Sequence, residues 1–282
     1  MEIKMKLNEI RIRDPFILYE SGKYYMTGSQ GFETLGFAIY TSEDLENWSE
    51  PVKIFEKNDN FWGTKQFWAP EIHKYNGKYY LFASFKSDEH RRATQILVSD
   101  KPDGKYEPIS ENPQTPSDWE CLDGTLYIDK KGNPHMIFCH EWVQVRDGEI
   151  CSMQLSEDLT KAVGEPKLLF KASDFKKAMP TDDKGGYVTD GCFLYRDGED
   201  LYMLWSSFAG EYFQAVAKSD NGEIDGNWIF QDEFLYVDDG GHGMLFQDAD
   251  GKLKIVLHTP NTKTEHAEMF DVCIENGKIV RK

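Results

Sequence analysis

From Glu71 to Ser84 the chain reads EIHKYNGKYYLFAS, and the pair at its centre, Asn76-Gly77, is a strong hairpin signal. Both residues accept the positive φ that a two-residue turn between antiparallel strands demands. An apolar strand leads into the turn and a strand rich in Tyr and Leu leads out. The pattern occurs four more times: DPFILYESGKYYMTGS (Asp14 to Ser29), DGTLYIDKKGNPHMIFCH (Asp123 to His140), DGCFLYRDGEDLYMLWSS (Asp190 to Ser207) and HGMLFQDADGKLKIVLH (His242 to His258). The hairpin starts are 57, 52, 67 and 52 residues apart.

The segments after the hairpins repeat too. A third strand ends in a Ser-acidic turn at Ser42, Ser99, Ser156 and Ser219, and Glu-Pro pairs at Glu50, Glu107 and Glu165 introduce a short fourth strand. In the fifth unit AEMFDVCIENGKIV stands for both outer strands. Four antiparallel strands per unit, recurring five times, describe propeller blades. No stretch of 11 or more residues keeps a 3.6-residue apolar period, which argues against an α/β barrel. The expected architecture is therefore all-β: residues 1–282 as one five-bladed propeller with four-stranded antiparallel blades. The alternating Ile3, Met5 and Leu7 are expected to close the ring by adding a strand to the last blade.

Composition narrows the partners. The formal net charge is −17 and no run of Lys or Arg exceeds two, so the basic footprint of a nucleic-acid groove is missing and anionic polysaccharides are disfavoured. A neutral oligosaccharide or polysaccharide fits best. No apolar run approaches the roughly 20 residues of a membrane span. Met1 to Leu7 is alternating and charged, without an apolar signal core, and the five Cys lack metal-type spacing. These features lead to the expectation of a cytoplasmic protein with reduced thiols.

In a blade the first strand lines the central channel and the second runs back beside it, so one rim carries the first strand's start and the second's end. The starts are Asp14, Glu71, Asp123, Asp190 and His242; the ends include Ser29, Ser84, His140-Glu141-Trp142, Ser207-Phe208 and His258. Crowded carboxylates raise one another's pKa and mark functional sites. Glycosidic cleavage needs such a set: one carboxylic acid to protonate the leaving oxygen, and one carboxylate to activate water or attack the sugar. Trp68, Phe67, Trp142 and Phe208 stand at the rim as candidate sugar platforms, whereas Trp48 and Trp228 read as packing residues. Glu71, His140 and His258 are candidate substrate contacts, and Arg91 and Arg92 lie in the loop after the second hairpin.

At these positions the chain resembles glycoside hydrolase family 43, the arabinanase, arabinofuranosidase and β-xylosidase group. IRDPFI around Asp14, WAPEIHKYNGKYYLF from Trp68, LDGTLYID around Asp123 and GHG around His242 are similar to that family's blade motifs, in order. The resemblance implies Asp14 as general base, Asp123 as the residue that tunes the acid's pKa, and an inverting mechanism. It requires no cofactor, though it implies calcium near His242, contacted through water. One position departs. The family's acid is usually a Glu followed by Gly-Pro, whereas here Asp190-Gly191-Cys192 stands. Asp190 keeps the register and is favoured; Glu141 is the alternative acid. The function expected is hydrolysis of α-L-arabinofuranosyl or β-D-xylosyl linkages. The rivals are a propeller glycoside phosphorylase, which needs a basic cluster for phosphate, and a non-catalytic sugar-binding propeller.

Overall fold

The computed structural model describes residues 4–31, 33–262 and 264–282. Five antiparallel sheets succeed one another along the chain. Blade one comprises Arg13–Glu20, Lys23–Ser29, Gly36–Ser42 and Val52–Glu56; blade two Lys65–Tyr75, Lys78–Lys86, Ala93–Ser99 and Glu107–Pro108. Blade three comprises Cys121–Ile128, Pro134–His140, Glu149–Gln154 and Lys167–Lys171, blade four Asp190–Asp197, Asp200–Phe208, Tyr212–Ser219 and Trp228–Phe230. Blade five is Gly241–Gln247, Leu253–Thr259, His266–Glu275 and Lys278–Arg281. The expected five-bladed propeller is what forms. Asn76 (φ 46°) and Gly77 (φ 78°) both take the left-handed conformation their hairpin requires, as do Asn276 and Gly277 in the last one.

The N-terminal strand is a correction. Met5 and Lys6 pair with Trp48 and Asn47 at the outer edge of blade one, not with the last blade; Ile3 lies outside the described residues. Blade five already has its fourth strand, because Lys278–Arg281 pairs with His266–Glu275. The ring closes instead through side chains and one isolated backbone bridge, Arg11 to His266. Phe16, Ile17, Tyr24 and Met26 of blade one pack with Met244, Phe246 and Val256 of blade five over the buried Ile10 and Ile12. Burying such side chains contributes roughly 1.5–3 kcal/mol each, so a ring without a shared strand still closes firmly. Similar apolar layers fill the other interblade spaces. Trp48 and Trp228 are packing residues as expected, and Phe67 joins them inside the layer between blades one and two.

Each innermost strand is irregular at its start. The register between the first and second strands skips two residues there: Asp14-Pro15, Ala69-Pro70, Asp123-Gly124, Gly191-Cys192 and His242-Gly243. The first residue of each skipped pair has a φ between 46° and 55°. A bulge of this kind bends the strand and re-aims a side chain. Non-glycine residues tolerate that φ only at a cost of about 1–3 kcal/mol, which the surroundings must offset. Hydrogen bonds between blades do so. Oγ of Ser29 accepts the Ala69 amide at 2.8 Å, Oγ of Ser84 the Asp123 amide at 2.9 Å, and Oγ of Ser206 the His242 amide at 2.8 Å. Nδ1 of His258 accepts the Asp14 amide at 3.2 Å. All four acceptors sit at the same register position of the preceding blade. In blade three that position is Cys139, and the Gly191 amide donates instead to the carboxylate of Asp123 at 2.9 Å. The blade contacts that build the ring therefore also fix the site.

Candidate active site

The bulges open into a cavity of about 520 Å³ on the channel axis. Its lining includes Arg13, Asp14 and Ser29 from blade one, Trp68 from blade two, Asp123, Glu141 and Trp142 from blade three, Asp190 and Phe208 from blade four, and His242 from blade five. That volume lies in the usual range for ligand sites.

His242 stands among the carboxylates. Its Nδ1 lies 3.1 Å from Oδ1 of Asp14 and 3.7 Å from Oδ2 of Asp123. Burial alone would discharge the imidazolium, but the two carboxylates outweigh it and raise its pKa to about 10. For Asp14, burial would push the carboxyl up; His242 and Arg13 overcome this and hold it well below the usual carboxylate range. Asp14 is thus an ionised carboxylate, with Oδ2 accepting the Ser29 hydroxyl at 2.6 Å.

The other two carboxyls go the opposite way. Burial, reinforced by neighbouring carboxylates, raises Asp123 to about 7 and Asp190 to about 6 against the partial opposition of His242. The site therefore holds one firmly ionised carboxylate, Asp14, and two carboxyls that burial inclines to keep a proton. Divergent environments of this kind separate an acid from a base.

Asp190 stands one residue before the bulge position, level with Arg13, Trp68, Leu122 and Gly241, each of which faces the shared acceptor position of its second strand. The reason lies in blade five. At Gly191 a Cβ would come 2.7–2.8 Å from the His242 ring and backbone, so blade four has no room for a side chain at the bulge itself. The carboxyl that blade four brings to the cavity comes from the preceding residue.

Glu141, the alternative acid, also lines the cavity but forms a buried ion pair with Arg92. Arg92 is held further by Oε1 of Gln66 at 2.9 and 3.1 Å, and its guanidinium lies 4.6 Å from the Trp68 ring centroid. This cluster braces Trp68 and Glu141 together at the blade two–three side of the cavity. Trp142 opens the single helical turn Trp142–Val145; Arg146 packs against its ring, and Gly186 passes close by. Arg91 stays at the rim, 3.8 Å from Glu120.

Three expected contacts lie outside the lining. Glu71 is buried beside His73, 2.9 Å from its Nε2. Pro15 and Pro70 align, so the counterpart of Asp14 in blade two is Ala69, not Glu71. His140 turns to Glu149 and Gln144, each at 3.1 Å, and stacks on Trp119. His258 is fully buried behind Asp14, and burial lowers its pKa to about 3, so it is neutral. With Nδ1 accepting, its Nε2–H donates to Oδ1 of Asn261 at 3.2 Å. Tyr212 and Gln66 carry no sequence signal that singles them out, and Arg13 enters only as part of the IRDPFI motif.

A directly held metal ion does not fit this donor set. Nδ1 of His242 faces carboxylates, the Asp14 oxygens are taken by His242 and Ser29, and no cluster of three or more His, Cys, Asp or Glu suited to an ion occurs among the described residues. Among those residues, too, no helix is long and apolar enough to cross a membrane.

The sequence profile of glycosyl hydrolases family 43 matches residues 7–274. The chain belongs to that family. Over 149 residues, 49% of this chain and 46% of the other, it is 28% identical to the extracellular endo-α-(1→5)-L-arabinanase 1 of Bacillus subtilis (strain 168). It is 25% identical over 220 residues to the extracellular exo-α-(1→5)-L-arabinofuranosidase ArbA of Cellvibrio japonicus, covering 71% of this chain and 59% of that one. The chain thus spans about half the length of these two relatives. A crystal structure of the endo-arabinase from Bacteroides thetaiotaomicron VPI-5482 superposes with a TM-score of 0.94 at 42% identity, covering 99% of this chain and 100% of that one.

These family 43 relatives overturn the cytoplasmic expectation, since the Bacillus and Cellvibrio enzymes are both extracellular. Within the charged, alternating start that led to it, Met5 and Lys6 form a paired strand.

Proposed function

We propose that this chain is an extracellular glycosidase that hydrolyses α-L-arabinofuranosyl linkages of arabinan-type chains by inversion. The observation that carries the reading is the opposed state of the carboxyls: Asp14 held ionised beside protonated His242, Asp190 raised to about 6. Asp14 acts as general base on water and Asp190 donates the proton to the leaving oxygen. Asp123 accepts the Gly191 amide beside Asp190, and burial with the Glu141 and Asp14 carboxylates helps Asp190 hold its proton. Trp68, Trp142 and Phe208 supply apolar faces for sugar rings.

Arabinan is favoured over xylan by the 42% identity, across nearly the whole of both chains, to a protein described as an endo-arabinase. The same likeness favours attack within chains. Phosphorolysis lacks support: Arg92 is committed to Glu141, and Arg13 faces Asp14 and Asp190. Calcium, where present, meets His242 through water.

The test of the acid uses Asp190→Asn and Glu141→Gln on linear arabinan and on an aryl arabinofuranoside with an activated phenol. Loss of the proton donor hurts the poor leaving group most. Asp190→Asn should therefore lose about 10²–10⁴-fold on arabinan and far less on the aryl substrate. The same pattern in Glu141→Gln instead would transfer the role to Glu141.

A further inference from the structure

Asp190 is one methylene shorter than the glutamate usual at this position, and a short acid has little freedom to find its proton acceptor. A carboxyl also rotates broadly about its last torsion, so a buried partner that selects one orientation has mechanistic weight. Tyr212 is such a partner. It opens the strand Tyr212–Ser219, is almost fully buried, and stands outside the cavity lining. Its phenolic O–H donates to Oδ2 of Asp190 at 3.2 Å.

The ring is clamped. It stacks on the neutral His258 imidazole with centroids 5.6 Å apart and planes at 22°, and packs against Phe208 at 5.1 Å. From the third side comes Gly241, where a Cβ would approach Cε1 of the ring to 2.7 Å. Burial and nearby carboxylates push the phenol's pKa well above its usual value, so it remains a donor at every working pH. His258 accepts the Asp14 amide, so the same two rings brace both acid and base.

We propose that Tyr212 is a positioning residue for the proton donor: by donating to Oδ2 it fixes the Asp190 carboxyl plane and leaves Oδ1 to carry the proton delivered to the leaving oxygen. This inference rests on Asp190 being the acid. The other charged groups facing Asp190 are Arg13 and Asp14 from blade one, Asp123 and Glu141 from blade three, and His242 from blade five.

The test is Tyr212→Phe, which keeps the ring and its stacking. A hydrogen bond to the ionised carboxylate favours that form, so its removal raises the Asp190 pKa, moving the basic limb of the kcat profile up by about one pH unit. Turnover of arabinan should fall about ten-fold, with aryl arabinofuranoside affected much less and KM nearly unchanged, as expected for an interaction made in the transition state. A purely structural tyrosine would lose both substrates alike and leave the limb in place. Site-specific 3-fluorotyrosine at 212, a stronger donor that preserves the fold, should move the limb in the opposite direction. In an Asp190→Asn background, Tyr212→Phe should add nothing to the leaving-group ratio. If Asp190→Asn shows that ratio while both Tyr212 replacements leave limb and ratio unmoved, the positioning role is refuted and the acid stands. If Asp190→Asn shows no such ratio, the acid assignment fails and the positioning role falls with it.

Discussion

Replacing His242 by Asn removes the one positive charge that lies between Asp14 and Asp123. Asn tolerates the left-handed backbone that His242 adopts at φ 52°, so the change tests charge and not strain. At 3.1 Å and an effective dielectric of 20, the His242–Asp14 attraction is worth about 5 kcal/mol. Arg13 remains beside Asp14, but it also serves Asn261 at 2.7 Å. An energy of that size corresponds to roughly three to four pKa units. Asp14 then returns from well below the usual carboxylate range to an ordinary or raised value. The wild-type enzyme should show no acidic limb above about pH 3, whereas the variant acquires one between about pH 4 and 7.

Stability tracks the same pair. His242 has its pKa raised from 6.5 to about 10, so its contribution is complete below 6.5 and disappears as pH climbs through 10. Asp14 has its pKa depressed, so its contribution is complete above its ordinary value of 3.8 and is lost only as pH falls toward the depressed one. The melting-temperature gap between wild type and His242→Asn should be widest between about pH 4 and 6.5 and should narrow toward pH 10. Leaving a buried charge unpaired costs about 3–5 kcal/mol, so the gap is readily measured. A folded His242→Asn protein whose acidic limb matched the wild type would refute the assignment of His242 as the charge that keeps Asp14 ionised.

Two further outcomes are expected. Asp14→Asn should fold normally and lose about 10²–10⁴-fold in kcat on arabinan and aryl substrate alike, because a base is needed whatever the leaving group; near-wild-type turnover would remove Asp14 from the mechanism. For calcium held near His242 through water, exhaustive chelation should lower the melting temperature and added calcium should restore it, with unchanged melting in metal-free protein leaving His242 to its pairing with Asp14 alone.

The parts of the site that are legible in the sequence are those set by local pattern. A hairpin declares itself through its turn, as at Asn76-Gly77, and five turns at blade spacing specify the ring. Asp14, Asp123, Asp190 and His242 come with it, because they sit at the starts of the innermost strands. Reading by residue type misleads where register decides. Glu71 draws attention by its charge, although Pro70 aligned with Pro15 already places Ala69 opposite Asp14. The N-terminal strand goes to the unexpected blade because an alternating segment says that a strand forms, not which edge is free to receive it. His140 and His258 sit at the expected strand ends, but pleating turns one outward to Glu149 and buries the other behind Asp14.

No local pattern carries the coupling between blades. In the sequence the departure at Asp190 reads as a defect, an acid one methylene short. In three dimensions it belongs with two glycines. Gly191 yields the bulge position to the His242 ring, and Gly241 lets Tyr212 close on Asp190. The charge on His242 then depresses Asp14, while burial raises Asp190 against the same charge, so the two carboxyls are set apart although one imidazole reaches both through a gap only glycine leaves. Asp14, Asp190 and His242 lie in three different blades, about 50 residues or more apart along the chain. The sequence names the residues, but their contrasting environments exist only once the ring has closed and brought blade five against blade one.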